Sequence, residues 1–192
     1  MDRRGFLATA SLAGLAQAAP ALAGAHAGPA LLTVGGAIAR GNRGAVDPAL
    51  DQLMVRHGVH FSSAFAFDSP ALLSLPAITI RPTLEYDETP HRLRGPLLTK
   101  VLEAAGVDTG AAARVGIRAI DGYRIEITSA DIAAYRMILA THLDDRPLPL
   151  GGLGPQWAVF DPAAVPALRD KPLKERFALC PWGVYYIDVA TG

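Results

Sequence analysis

Few residues in this chain have the types and spacing that catalysis or metal binding requires. The segment His57-Gly58-Val59-His60 places two imidazoles three positions apart, a spacing that can present both to one metal ion from a helix. Gly58 weakens such a helix, and no third ligand lies nearby in the sequence. His91 and His142 are distant in sequence and could complete a metal site only if the fold brought them close. The alternative to a metal site is that these histidines are solvent-exposed or lie in loops.

Nucleophile and phosphate motifs are also missing from the sequence. The single cysteine, Cys180, can form neither an intramolecular disulfide nor a multi-thiolate metal site. Its apolar neighbours favour a small buried side chain, with a reactive thiol as the alternative. There is no Gly-x-Ser-x-Gly, Walker or Gly-x-Gly-x-x-Gly motif. The glycine-rich run at 151–154 is followed by Pro155, which lacks an amide donor, so it predicts a mobile loop at a pocket rim.

Composition narrows the class of protein. The chain has 192 residues, of which 51% are hydrophobic, and this is enough for one domain with a sizeable core. Its 18 Lys and Arg balance its 18 Asp and Glu. Nucleic-acid binding and anionic-membrane binding are therefore not expected, since both favour a basic excess.

Short apolar runs between glycines and prolines predict the elements that must position any site. The clearest helix is predicted over 97–105, where apolar residues recur at helical spacing and Gly106 follows. A second helix is predicted from Asp47 to Gly58, with Ala49, Leu50, Leu53 and Met54 on its apolar face. Strands are predicted at 31–34, 65–67, 77–81, 115–120, 124–127, 137–140, 156–160 and 184–189, with an Asp121-Gly122 hairpin. This mixture predicts an α+β fold that is mostly β.

The first residues resemble an export signal. Arg3-Arg4-Gly5-Phe6-Leu7 is similar to the twin-arginine motif, and a weakly apolar stretch and small residues follow. We expect residues 1–23 to be a signal peptide, 24–30 a flexible lead-in and 31–192 a single domain, soluble and periplasmic. An ordinary Sec signal and an uncleaved anchor are the alternatives.

Three blocks of the sequence resemble a known family in their order and spacing. They are residues 94–107 (RGPLLTKVLEAAGV), 121–140 (DGYRIEITSADIAAYRMILA) and 144–157 (DDRPLPLGGLGPQW). In all three the pattern is similar to the molybdopterin-binding domain of the sulfite oxidase superfamily. The resemblance extends from Leu31 to Val189, with its three blocks in the second half, and implies a sulfite-oxidase-type fold of mixed sheets with short helices.

The resemblance also implies a pterin pocket without the family's metal ligand. The cysteine that ligates the metal in cofactor-binding members corresponds to Thr83 here, and a Thr hydroxyl cannot replace a thiolate. The haem-attachment motif and the dimerisation domain of sulfite oxidases have no counterpart. Residues near the matching loops could stack on a pterin or bond to its edge: Arg81, Thr83, Glu85, Tyr86, Asp121, Tyr123 and Trp157. Each of them also has an ordinary structural or surface role as an alternative.

Three functions follow as hypotheses. The first is a non-enzymatic periplasmic protein that binds a free reduced pterin and relays occupancy to the periplasmic domain of a membrane protein controlling cyclic dinucleotides. The second is a molybdenum-cofactor oxidoreductase, or a redox subunit, with atypical metal ligation. The third is a structural or assembly partner with an exposed apolar patch. The missing thiolate favours the first.

Overall fold

The computed structural model describes residues 28–110 and 112–191. The predicted signal peptide, residues 1–23, and the lead-in as far as residue 27 lie outside them. Strands outweigh helices in the described chain, as the composition of short apolar runs predicted. The strands are β1 (Ala30–Gly36), β2 (Arg43–Gly44), β3 (Ser63–Asp68), β4 (Ala77–Ile80), β5 (Leu93–Pro96), β6 (Ala113–Ala119), β7 (Arg124–Thr128), β8 (Ile138–Ala140), β9 (His142–Leu143), β10 (Arg146–Pro147), β11 (Trp157–Val159) and β12 (Val184–Thr191).

The helices are short. They are α1 (Gln52–Arg56), α2 (Ser69–Ser74), α3 (Leu98–Ala104), α4 (Ser129–Ala134), α5 (Pro166–Arg169) and α6 (Leu173–Arg176), with a 3-10 turn at Pro162–Ala164. The coarse prediction of an α+β, mostly β architecture with mixed sheets and few short helices is therefore confirmed.

Three sheets organise the described residues. The largest has six strands in the order β2-β3-β1-β12-β6-β7, and the others are β10-β9-β5-β4 and β11-β8. Strand β12 occupies the interior of the large sheet: it runs parallel to β1, with Thr33 opposite Tyr186, and antiparallel to β6, with Ile117 opposite Ile187. Its position brings the segment before it, including Trp182, close to the β6–β7 hairpin.

The core lies on one face of the six-stranded sheet, under α3 and the two-stranded sheet. Ile125 and Ile127 of β7 are buried while Arg124 and Glu126 between them are exposed, which is the alternation expected of a half-buried strand. A smaller apolar cluster on the opposite face contains Met54, Val59, Tyr185 and Tyr186.

The helix predicted over 97–105 is present as α3. Leu98, Val101 and Leu102 are fully buried, so the predicted apolar face is the packed one. Gly106 follows at φ +82°, where a side chain would also meet the backbone nitrogen of Arg40 at 2.8 Å. Glycine is therefore needed there both for backbone conformation and for space.

The helix predicted from Asp47 to Gly58 is wrong in its extent and its apolar face. Asp47 instead accepts hydrogen bonds from the amides of Ala49 and Leu50, which forms a separate turn before α1. Leu50 is 81% exposed and Leu53 41% exposed, and of the predicted face only Met54 is buried. The five residues of α1 make little more than one turn, too few to bury a stripe.

Candidate ligand-binding cavity

A cavity of about 340 Å³ lies where three segments meet. These are the loop after β4, the β6–β7 hairpin, and the segment from α6 to β12. Its walls combine carboxylates, aromatic rings and small apolar groups, contributed by Glu85, Tyr86, Ala119, Asp121, Tyr123, Lys174, Phe177, Ala178, Cys180, Pro181 and Trp182. The volume is in the range of small-molecule sites, about 300–1,000 Å³.

The loop after β4 contributes Glu85 and Tyr86. Leu84 is 3% exposed and anchors the loop to the core, while its amide donates to the carbonyl of Thr89 at 2.9 Å. Burial raises the pKa of Tyr86 to about 12, and the negative charge of Glu85 is the second cause of this increase. A hydrogen bond with Trp182 acts in the opposite direction and lowers the pKa. At neutral pH the phenol is therefore uncharged and can both donate and accept hydrogen bonds.

The β6–β7 hairpin contributes Asp121 and Tyr123. Asp121 accepts a hydrogen bond from the Tyr123 amide at 2.9 Å, and Gly122 between them has φ +92°. This is the Asp-Gly turn that the sequence predicted. The Tyr123 hydroxyl donates to the carbonyl of Ala178 at 2.8 Å and so ties the hairpin to the segment before β12.

Cys180 forms part of the inner wall and is 4% exposed. Burial, and secondarily the charge of Glu85, raises the pKa of its thiol to about 12, while a backbone hydrogen bond with Phe160 acts against the increase. The thiol is therefore neutral at physiological pH and a poor nucleophile. The interpretation as a small buried side chain fits this environment.

The structure brings four of the seven predicted site residues to this cavity: Glu85, Tyr86, Asp121 and Tyr123. Arg81 is exposed at the start of the loop and is not part of the lining. Thr83 faces a different, smaller cavity of about 40 Å³ beside Asp161 and Arg176.

Trp157, also predicted as a stacking residue, lies outside the lining of this cavity. Trp157 is 1% exposed, and its indole Nε1 donates to the carbonyl of Cys180 at 2.8 Å. Its ring lies against Phe177, with the ring centroids 6.1 Å apart. Trp157 therefore supports the inner wall from behind instead of lining the cavity.

Sequence reasoning missed Lys174, Phe177 and Trp182 as lining residues. Trp182 lies in the apolar run 177–182 around Cys180, and the local pattern of this run gives no sign that it lines a cavity. The feature that indicates a lining role for Trp182 is its position just before β12. That feature has meaning only once β12 is known to lie beside β6.

The charges and rings of the cavity define what it can bind. Two carboxylates, Glu85 and Asp121, face one cation, Lys174, and the aromatic residues are Tyr86, Tyr123, Phe177 and Trp182. Aromatic walls suit a flat ring, and carboxylates accept hydrogen bonds from ring amino and N–H groups. The arrangement favours a planar, amine-bearing heterocycle over an anionic one.

The described lining of this cavity lacks groups that would hold a molybdenum cofactor. Such a cofactor needs a soft anionic ligand for its metal and cationic groups for its phosphate. Cys180 is the one cysteine, its thiol is buried and neutral, and Lys174 is the one cation in the lining. In residues 28–110 and 112–191, no group of three or more His, Cys, Asp or Glu side chains is placed to hold a metal ion.

The other sequence motifs lie apart from the cavity. His57 is hydrogen-bonded through Nδ1 to the Tyr185 hydroxyl at 2.9 Å, while His60 is exposed on another cavity. The glycine-rich run 151–154 lies in a turn before β11, outside the lining of this cavity, and its neighbours Leu148 and Pro155 line a different cavity of about 190 Å³.

A histidine flanked by two carboxylates fixes the loop that carries Glu85 and Tyr86. His91 Nδ1 lies 2.6 Å from Asp144 and Nε2 lies 2.7 Å from Asp87, so both ring nitrogens face carboxylates. Asp144 first, and Asp87 next, raise the pKa of His91 above its usual value, and hydrogen bonding to His91 lowers the pKa of each carboxyl group. His91 therefore joins the loop to the β9–β10 turn.

We expect this cluster to stabilise the fold most in mildly acidic solution. The pKa of His91 is higher in the folded protein than in the unfolded chain, where it is about 6.5. The contribution of His91 to the free energy of unfolding is therefore complete below pH 6.5, and it is lost as the pH rises through the pKa of the folded protein. His91→Gln should therefore lower the free energy of unfolding more at about pH 5.5 than at about pH 9. Urea unfolding at the two pH values measures this.

The matched control is His60→Gln, since within the described chain His60 has no hydrogen bond or ion pair. It should show no comparable pH-dependent loss. Equal losses for His91→Gln at both pH values would show that the charged form of His91 does not stabilise the fold.

Comparisons with known proteins add no relative: no family model matches the chain, and no curated protein matches it. The resemblance to the sulfite oxidase superfamily therefore stays a prediction from sequence. No helix within the described residues has the length and apolar character needed to cross a bilayer.

Proposed function

We propose that this protein binds a free pterin, or a closely related flat heterocycle with an amino-pyrimidine edge, in the cavity between Glu85 and Asp121. The observation that carries the proposal is the lining itself, in which two carboxylates and four aromatic side chains surround about 340 Å³. The proposed role is binding rather than catalysis, and the proposed fold type is that of the sulfite oxidase superfamily.

The chemistry of a pterin matches the lining at two points. Its fused ring is flat and can stack on an aromatic face, for which Tyr86 and Trp182 stand on the cavity wall. Its 2-amino group and ring N–H form a pair of donors that one carboxylate can accept, a charge-assisted arrangement stronger than a neutral one. A lone Lys174 offers little for a phosphate, so a free pterin suits the cavity better than a phosphorylated one.

Removing one carboxylate from the lining should weaken pterin binding. We expect Glu85→Gln or Asp121→Asn to lower the affinity for tetrahydropterin by about 10-fold, because a charge-assisted pair becomes a weaker neutral contact. Asp121→Asn keeps the side-chain oxygen that accepts from Tyr123, so the hairpin should survive. Isothermal titration calorimetry with the full-length chain measures the effect.

Two controls separate direct contact from general electrostatics. Glu175→Gln removes the same charge next to Lys174 from a residue outside the lining, and it should leave the affinity within about 2-fold. Lumazine, which has an oxo group where pterin has the 2-amino group, should bind more weakly than pterin. Absence of pterin binding, or equal affinity for lumazine, would refute the proposal.

We further propose that the protein is exported by the twin-arginine route and relays pterin occupancy to the periplasmic domain of a membrane protein that controls cyclic dinucleotides. Support comes from the Arg3-Arg4-Gly5-Phe6-Leu7 motif and from the family resemblance of the sequence. Changing both Arg3 and Arg4 to Lys should abolish the periplasmic fraction on cell fractionation. Unchanged export would favour the Sec route.

Co-purification with a membrane partner only when pterin is present would support the relay.

A further inference from the structure

A second cavity, of about 310 Å³, lies on the face of the six-stranded sheet opposite the main core. Its strand residues alternate with the buried Ile117, Ile125 and Ile187, so they project from the other side of the sheet. The residues that matter here are His60, Gly116, Arg118, Arg124, Tyr186 and Asp188. They share no member with the lining of the proposed pterin cavity.

Two arginines face each other across neighbouring strands in this cavity. Arg118 of β6 is directly opposite Arg124 of β7 in the strand register, an arrangement in which like charges destabilise a sheet. Arg124 is partly compensated by Glu126, with Nη2 to Oε1 at 2.8 Å. The Arg118 side chain has no hydrogen bond or ion pair with another described residue, so its guanidinium donors stay available.

The backbone leaves room for the guanidinium groups. A side chain on Gly116 would come within 2.9 Å of Arg124 Nη2, so glycine at this position lets Arg124 lie along β6. On the other side of Arg118, Tyr186 is its register partner in β12, and the Tyr186 hydroxyl donates to Asp188 at 3.3 Å. The cavity thus has a cationic side and a rigid phenol wall.

The unpaired guanidinium group favours an anion. The carboxylate of Glu126 pairs with Arg124, whereas Arg118 has no ion-pair partner among the described residues and shares the lining with the one carboxylate of Asp188. Guanidinium donors lie in a plane that matches the oxygens of carboxylates and phosphates. An anion between Arg118 and Arg124 would also relieve their mutual repulsion. We propose that this cavity binds a small oxyanion, a carboxylate or a phosphate group, between Arg118 and Arg124.

Titration of the full-length chain tests this proposal independently of pterin. Inorganic phosphate and succinate are the probes, compared with chloride at constant ionic strength so that screening is the same in every arm. We expect saturable binding of at least one oxyanion by calorimetry, and the stronger of the two identifies the ligand class. Arg118→Gln should weaken that binding by about 10-fold or more, since donors to a charged acceptor are lost.

Two further variants make the result specific. Arg114→Gln changes an arginine on the same strand and the same face but outside the lining, and it should leave binding unchanged. Asp188→Asn removes the opposing negative charge and should tighten binding, which gives a readout even if Arg118→Gln does not fold. The proposal fails if neither oxyanion binds more than chloride does, if Arg114→Gln weakens binding as much as Arg118→Gln, or if Asp188→Asn fails to tighten it.

Discussion

Replacing Trp157 by alanine is expected to lower the free energy of unfolding by about 3–5 kcal/mol. Trp157 is 1% exposed and packs against Phe177, so truncation leaves a large cavity in the core. It also removes the indole donor to the Cys180 carbonyl, which would then be buried without that partner. Trp157→Phe keeps most of the volume and should cost less.

Urea or guanidinium unfolding of the variants measures these losses, and the other tryptophan provides the control. Trp182 is only partly buried and lines the cavity, so Trp182→Ala should destabilise the fold less while removing a stacking face for pterin. A Trp157→Ala protein that is as stable as the wild type but binds pterin weakly would contradict a structural role. That result would instead support the contact between Trp157 and the ligand that was predicted from sequence.

Replacing Gly95 by alanine is expected to cost about 3 kcal/mol, the upper end of the usual penalty for overpacking a core. Gly95 is buried in β5, where β8 crosses closely. An added Cβ would overlap the carbonyl oxygen of Leu139 and lie 2.8 Å from Cα of Ala140. Both are backbone atoms, so the clash can be relieved only by moving one strand away from the other.

The control for this change is Gly44→Ala in β2. Gly44 is also in a strand, but an added Cβ there would meet nothing within 4 Å. We expect little change in the midpoint of thermal unfolding for Gly44→Ala and a large decrease for Gly95→Ala. Comparable midpoints for the two variants would show that β5 and β8 can separate without cost.

Local patterns predicted the elements whose determinants are local. The polarity of β7 alternates residue by residue, the apolar positions of α3 recur at helical spacing, and Asp121-Gly122 has the residues of a tight turn. Each of these signals depends on neighbours a few positions away. The sequence is therefore sufficient to predict them.

The composition of the cavity could be predicted only in part. Glu85, Tyr86, Asp121 and Tyr123 were selected because they lie near loops that resemble a family. Trp182 required knowledge that β12 inserts between β1 and β6, which is a pairing between distant segments. The direction of Trp157 was equally inaccessible, since an aromatic residue on a buried strand can face a ligand or the core.

Because β12 lies between β1 and β6, the large sheet has no centre until Val184–Thr191 has been synthesised. Before that point β1 and β6 each present an unpaired edge, which is a site for pairing with other chains. Joining Thr33 to Tyr186 also closes a loop that includes most of the domain, and such non-local pairing is entropically costly and slow. The two edges are therefore closed only by the strand that is made after all the others in this sheet.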